Sequence, residues 1–220
     1  SWSGTLTITG DTILAKATFT LGAEASGALT VGGAGTNALT STSGAVTVTT
    51  VSISGTGDYI DLGSEAWTVS GTWTNSTTSA SWDAGTGTVT FTSTTGGTMT
   101  FAGANLAEAE FSNVTFNSSA VASQTFTMAT RGLSWSGTLT ITGDTVLAKA
   151  TFTLGAEASG ALTVGGAGTN ALTSTSGAIT VTTVSISGTG DYIDLGSETW
   201  TVSGNWDNSS TSTSWDAGTG

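Results

Sequence analysis

The chain has 220 residues, of which 80 are Ser or Thr and 32 are Gly, with no Pro, Cys or His. Fifteen acidic residues against three basic ones give a net charge of −12, which argues against nucleic acid and anionic membranes as partners, since both need clustered cations. Charged residues make up only 8% and β-branched residues abound, so the composition is that of folded β-structure and not of a disordered chain.

Along the chain nearly every segment alternates with period two. In TLTIT, Leu6 and Ile8 point one way while Thr5, Thr7 and Thr9 point the other. The same pattern returns in TVTFT (88–92), TMTF (98–101), NVTF (113–116) and TFTM (125–128). Within AVTVTTVSIS the inward phase switches from Val46/Val48 to Val51/Ile53 across Thr49-Thr50. A straight strand forbids this, whereas a corner between two faces requires it. Only GAEASG (22–27) and ANLAEAE (104–110) read as a turn or two of helix, placed as surface excursions.

Residues 1–87 return at 134–220 with an offset of 133, and 80 of the 87 positions are identical. The changes are Ile13→Val146, Val46→Ile179, Ala66→Thr199, Thr72→Asn205, Thr74→Asp207, Thr77→Ser210 and Ala80→Thr213. Residues 1–133 form a first repeat unit of about six coils, and 134–220 an incomplete second unit continuing the same stack. The apolar pairs Leu6/Ile8, Leu29/Val31, Val51/Ile53, Trp67/Val69, Val89/Phe91, Val114/Phe116 and Leu139/Ile141 recur at steps of 23, 22, 16, 22, 25 and 25. A second ladder is expected through Phe19/Leu21, Leu39, Ile60/Leu62, Trp82, Met99/Phe101, Phe126/Met128 and Phe152/Leu154. The expected fold is all-β: a parallel β-helix, right-handed by its rung length, of about ten coils of about 22 residues. The alternative is a tandem pair of antiparallel Ig-like sandwiches, for which the Cys…Trp…Cys spacing is missing.

The run WTVSGTWTNSTTSASWDAGTGTVTFTSTTGGTMTFAG followed by FSNVTFNS resembles the degenerate coils of long repeat proteins on bacterial and archaeal surfaces. It is similar to haemagglutinin-type and autotransporter-type β-helix adhesins. The resemblance implies architecture and an extracellular or cell-surface location, and it carries no individual functional residue.

The chemistry is sparse. With no His and isolated cations, no acid–base pair suggests itself, and the chain reads as a non-enzyme with no cofactor. Asp58, Asp61 and Glu65, repeated as Asp191, Asp194 and Glu198, form the best carboxylate group. Opposite strand parity separates Asp58 from Asp61 (and Asp191 from Asp194), leaving at most a weak Ca²⁺ site. Four N-x-S/T sequons, at Asn75, Asn113, Asn117 and Asn208, are candidate glycosylation sites. Trp67 shares parity with Val69 and belongs to the core, as does Trp2 with Leu6. Trp73 and Trp82 could instead offer stacking surfaces for a glycan. The outward Thr rows could match ice, although rungs of such uneven length are irregular for a lattice.

Neither end of the sequence carries a capping helix or a charged edge. An uncapped coil is satisfied by stacking on another, and such head-to-tail contacts build filaments. The expectation is therefore a structural protein whose partner is itself, as a homopolymer or covalent array: part of a filament, sheath or adhesin stalk. The alternative is a glycan- or ice-binding solenoid module.

Overall fold

The computed structural model describes residues 3–10, 13–16, 27–41, 44–101, 109–118, 124–129, 133–149, 160–174 and 179–219. Among these residues there are 22 β-strands and no helix. The first are β1 (Thr5–Ile8), β2 (Ile13–Lys16), β3 (Ala28–Gly32), β4 (Ala38–Ser41), β5 (Val46–Val48), β6 (Val51–Ser54), β7 (Tyr59–Asp61) and β8 (Trp67–Val69). The middle of the chain contributes β9 (Trp73–Asn75), β10 (Thr88–Phe91), β11 (Gly97–Thr100), β12 (Asn113–Asn117), β13 (Gln124–Ala129), β14 (Thr138–Thr142) and β15 (Thr145–Lys149). The last are β16 (Ala161–Gly165), β17 (Ala171–Ser174), β18 (Ile179–Val181), β19 (Val184–Ser187), β20 (Tyr192–Asp194), β21 (Trp200–Val202) and β22 (Trp206–Asn208).

Every pairing between these strands is parallel, which excludes the antiparallel sandwich. The strands stack into a three-faced β-solenoid. One face holds nine strands in the order β1-β3-β6-β9-β11-β13-β15-β17-β20, and a second holds eight, from β5 through β8, β10, β12, β14, β16 and β19 to β22. The third face carries β2-β4-β7 low in the stack and β18-β21 high in it, with the bridges Asp61↔Asp83 and Phe111↔Trp135 between. From β5 to β22 the second face climbs seven turns.

The local cause is the alternation of apolar and hydroxyl residues. Leu29, Val31, Val51, Ile53, Val89, Phe91, Val114, Phe116, Leu139 and Ile141 are all buried, while the Thr and Ser between them are half-exposed. Thr49-Thr50 is a corner: Val46/Val48 face inward from β5 and Val51/Ile53 from β6, on different faces. The corner is tied to the coil below, where Thr50 O accepts the Leu29 N–H at 2.8 Å and the Thr49 N–H donates to Gly27 O at 3.3 Å.

The ladders expected from the sequence fail at one step. Val51 and Ile53 stack on Trp73 and Asn75, whereas Trp67 and Val69 stack on Val46 and Val48 and then on Val89 and Phe91. The short step from Val51 to Trp67 is a jump between faces. In the second ladder Leu39 does meet Ile60, but Met99 and Met128 belong with Trp73 on the nine-stranded face. Phe19/Leu21 and Phe152/Leu154 lie outside the described residues, as do most of the two helical readings. Of those, Gly27, Ala109 and Glu110 are described and buried, so the 104–110 segment ends in the core and not on the surface.

The misread step has a global consequence. β1, β3, β6 and β9 lie on the nine-stranded face, while their copies β14, β16, β19 and β22 lie on the eight-stranded one. Likewise β4 and β7 occupy the third face, but their copies β17 and β20 occupy the nine-stranded face. The repeat offset therefore falls one face short of six full turns. The two units are related by a rise and a rotation of about one third of a turn.

Candidate functional site

Three features of the solenoid hold polar or aromatic groups in an organised way: a buried corner, a pair of stacked acidic turns, and the tryptophan clusters. From Ser118 to Asp191 the corner leads from the eight-stranded face into the nine-stranded one, whereas its first-unit counterpart leads from the nine-stranded face into the third. Ser118 N–H donates to Thr145 Oγ1 (2.9 Å), Thr145 N–H to Asn170 Oδ1 (3.1 Å), and Asn170 N–H to Asp191 Oδ1 (2.7 Å). All four residues are buried. The side chains of Thr145, Asn170 and Asp191 thus each satisfy a backbone donor one coil away. The first unit repeats the device, with the Asn37 N–H donating to Asp58 Oδ1 at 2.8 Å and the Thr77 hydroxyl donating to Asp58 O at 2.5 Å. Ser210 makes the same hydroxyl contact to Asp191 O. A buried N–H left without an acceptor costs about 1–3 kcal/mol, so this ladder is what permits a tight corner to be buried at all.

Asp58 and Asp191 are therefore structural. Each has one carboxylate oxygen engaged in the ladder and the other, Oδ2, buried without a hydrogen bond. Burial pushes the Asp191 carboxyl above the usual carboxylate range, against the opposing hydrogen bonds from Asn170.

Asp61 and Asp194 belong elsewhere. Asp61 Oδ1 accepts the Gly63 N–H at 2.9 Å, and Asp83, one coil on, accepts the Gly85 N–H at 2.7 Å in the same way. Asp194 repeats the turn with Gly196, and Asp216 with Gly218. The turns stack so closely that a Cβ on Gly85, which sits at φ 60°, would collide with the Gly63 carbonyl oxygen, so only glycine fits. Burial raises the Asp61 carboxyl above its ordinary value; the Gly63 N–H opposes this, and the charges of Asp83 and Glu65 add to it. Asp58 and Asp61 are thus held in separate settings, as are Asp191 and Asp194. Among the described residues no group of three or more acidic side chains converges on a point where a metal could sit.

The tryptophans of the first unit form core and not platform. Trp67, Trp73 and Trp82 are each no more than 3% exposed, which overturns the reading of Trp73 and Trp82 as a glycan surface. Trp73 meets Trp82, Phe91 and Phe111 edge-on, at 6.4, 6.2 and 5.3 Å between ring centroids. Their indole N–H groups find acceptors: Trp67 on Leu62 O (3.1 Å), Trp73 on Glu110 Oε1 (3.0 Å) and Trp82 on Glu110 O (3.1 Å). Glu110, which the sequence pattern assigns to a surface excursion, is fully buried and also accepts from Asn75 Nδ2 at 2.8 Å. The available signal was the cluster of indole and amide donors, which required one acceptor.

Asn75 is consequently corrected as a glycosylation site: its side chain is 0% exposed and its amide nitrogen is engaged, so the folded coil has no room for a sugar. Asn113 and Asn117 are half-exposed and Asn208 is exposed. Asn113 Oδ1 accepts the Thr138 N–H of the next coil at 3.0 Å. Trp2 lies outside the described residues.

In the second unit the same aromatic cluster is uncovered. Trp200 and Trp206 meet at 5.8 Å and Trp206 and Trp215 at 6.0 Å, in the same edge-on manner as Trp73 and Trp82. Trp206 is 37% exposed, and Trp200, Val202 and Trp215 are half-exposed. No family model matches the chain, and no curated protein or solved structure matches it either.

Proposed function

We propose that this chain is a structural protein, a segment or subunit of an extracellular β-helical filament, sheath or adhesin stalk built by end-to-end stacking. The observation that carries the reading is that two units alike at 80 of 87 positions continue one parallel solenoid although their strands occupy different faces, so coils of this sequence stack on one another in more than one setting. On this reading the solenoid is right-handed, with about ten coils of about 22 residues, and its partner is another copy of itself. It performs no catalysis and needs no cofactor.

An extracellular or cell-surface location is supported by the scarcity of Lys and Arg, three in all, which leaves trypsin-like proteases few cuts. The sequons at Asn113, Asn117 and Asn208 are at least partly accessible, which points the same way.

The second reading is a glycan- or ice-binding module, favoured by the outward Thr rows alone. The exchange of faces between units counts against it, because each face then mixes coils from two different ladders. Electron microscopy and analytical sedimentation of the purified chain test the first reading: filaments or concentration-dependent multimers are expected. A monomer at all concentrations, together with a positive glycan array or ice recrystallisation assay, would replace it by the second.

A further inference from the structure

We infer that the outward side of the eight-stranded face is an ice-binding surface, its ligand the ordered water lattice of ice and its contact an unbroken file of Thr hydroxyls and methyls. This goes beyond the structural role proposed above, which uses the ends of the stack and leaves its sides free.

The file is a product of register. Thr47 pairs with Thr68, Thr68 with Thr90, Thr90 with Thr115, Thr115 with Thr140, Thr140 with Thr163, and Thr163 with Ser185. All seven are half-exposed between buried apolar neighbours. The steps along the chain vary from 21 residues (Thr47 to Thr68) to 25 (Thr90 to Thr115), yet every pairing is direct. The uneven lengths are taken up elsewhere in each coil, so the spacing here stays regular, about 4.8 Å from one Thr to the next. The exchange of faces between units also leaves the file intact: Thr68 and Thr90 of the first unit stand in line with Thr140 and Thr163 of the second. On the nine-stranded face the same mixing breaks the pattern, pairing Thr127 with Ala148 and Thr173 with Asp194.

Three occupants are open to a polar sheet face, and chemistry and area choose among them. Flat glycans are gripped by stacking on aromatic rings, and Trp67, Phe91 and Phe116 beneath the file are buried. A protein partner needs area. Seven strands about 4.8 Å apart and three outward positions about 6.6 Å apart make a patch on the order of 400 Å². That is half of the roughly 800 Å² per partner of a stable interface. Ice needs hydroxyls fixed at an interval close to the repeat of its own water oxygens. Thr is stiff at χ1, so each coil holds its oxygen and methyl in the same attitude to the strand. A charged group would hold its own hydration shell against the lattice. No outward residue of β5, β8, β10, β12, β14, β16 or β19 is charged, although the chain carries −12.

The test is thermal hysteresis and inhibition of ice recrystallisation by the purified, unglycosylated chain, and both are expected of the parent. Thr115→Lys/Thr140→Lys puts two charges in the middle of the file and should lose nearly all activity. Thr115→Val/Thr140→Val keeps the β-branched shape, removes two hydroxyls and should fall between that variant and the parent. Thr30→Lys/Ser52→Lys, on paired half-exposed positions of the nine-stranded face, should lose none. Melting curves establish that each variant is folded. A parent inactive in both assays, both Thr115/Thr140 variants as active as the parent, or an equal loss in the nine-stranded control would each overturn the proposal. Binding to crystalline polysaccharide, or multimers, abolished by the Lys pair would give the face to another occupant and overturn it as well. So would sugar on Asn113 or Asn117 of the native protein, because both flank Thr115 and a glycan on either would stand over the file. Filaments without ice activity would remove this role alone, whereas ice activity in a lasting monomer would keep it and remove end-to-end assembly.

Discussion

At the scale of single residues, the buried carboxylates divide by what they touch. Asp58 and Asp191 hold backbone donors of neighbouring coils and belong to the corner. Asp61 instead sits in a stacked turn, with burial and the charges of Asp83 and Glu65 all disfavouring its ionised form. Its folded pKa lies above the ordinary 3.8, so the folded state holds the proton more tightly than the unfolded one. The sign follows: stability from this group is greatest below pH 3.8 and is lost as pH rises through the raised folded value. Asp61→Asn keeps an oxygen for the Gly63 N–H and removes the charge. The variant should melt higher than the parent at pH 7, and the gain should shrink to nothing as the pH falls below 3.8. Melting curves of both proteins between pH 3 and 7 check this, and a pH-independent difference would contradict it.

At the scale of elements, two-residue alternation carried most of the fold, because it reports which side chains face inward whatever the topology. The Thr49-Thr50 corner was legible for the same reason, since a straight strand cannot change its inward phase. Trp67/Val69 and Trp73/Asn75 were not separable this way: both follow Val51 with inward parity, and only the stacking distance decides which sits above it. The coils prefer steps of nearly equal length, which gives Trp73 to Val51 and Trp67 to Val46. The polar corner was hidden because Ser, Thr, Asn and Asp read as turn residues whether they face water or a neighbouring amide. The aromatic centre shows the energetic weight of correct stacking. Phe91 lies parallel to Phe116 at 4.9 Å and 17°, meets Phe111 edge-on at 6.1 Å, and is fully buried. Phe91→Ala should cost about 3–5 kcal/mol, since the rings stacked around it from its own and the next coil cannot collapse into the space. Denaturant unfolding measures it; a loss below about 1 kcal/mol would mean that the ladder is loosely packed.

At the scale of the whole molecule, the rotation between units explains how one sequence can serve on different faces. Leu39 and Leu172 are equivalent in sequence, yet one stacks on Ile60 of the third face and the other on Ile193 of the nine-stranded face. Both are buried to within 2%. The faces are interchangeable because each coil asks only for an inward apolar row and a corner that satisfies its amides. Under the end-to-end assembly proposed above, a coil offered by another molecule need only continue the rows in some register. Such a joint is built from backbone hydrogen bonds and apolar rows, with no role for the chain's few cations. Ion pairs weaken when salt shortens the screening length to about 8 Å at physiological strength, whereas apolar burial does not. Each copy carries a net charge of −12, so added salt should, if anything, relieve repulsion between copies. Sedimentation between low salt and about 1 M NaCl, where screening falls to about 3 Å, should therefore show multimers unchanged or enlarged. Dissociation on adding salt would place the contact on charged surfaces instead and overturn the stacking of apolar rows.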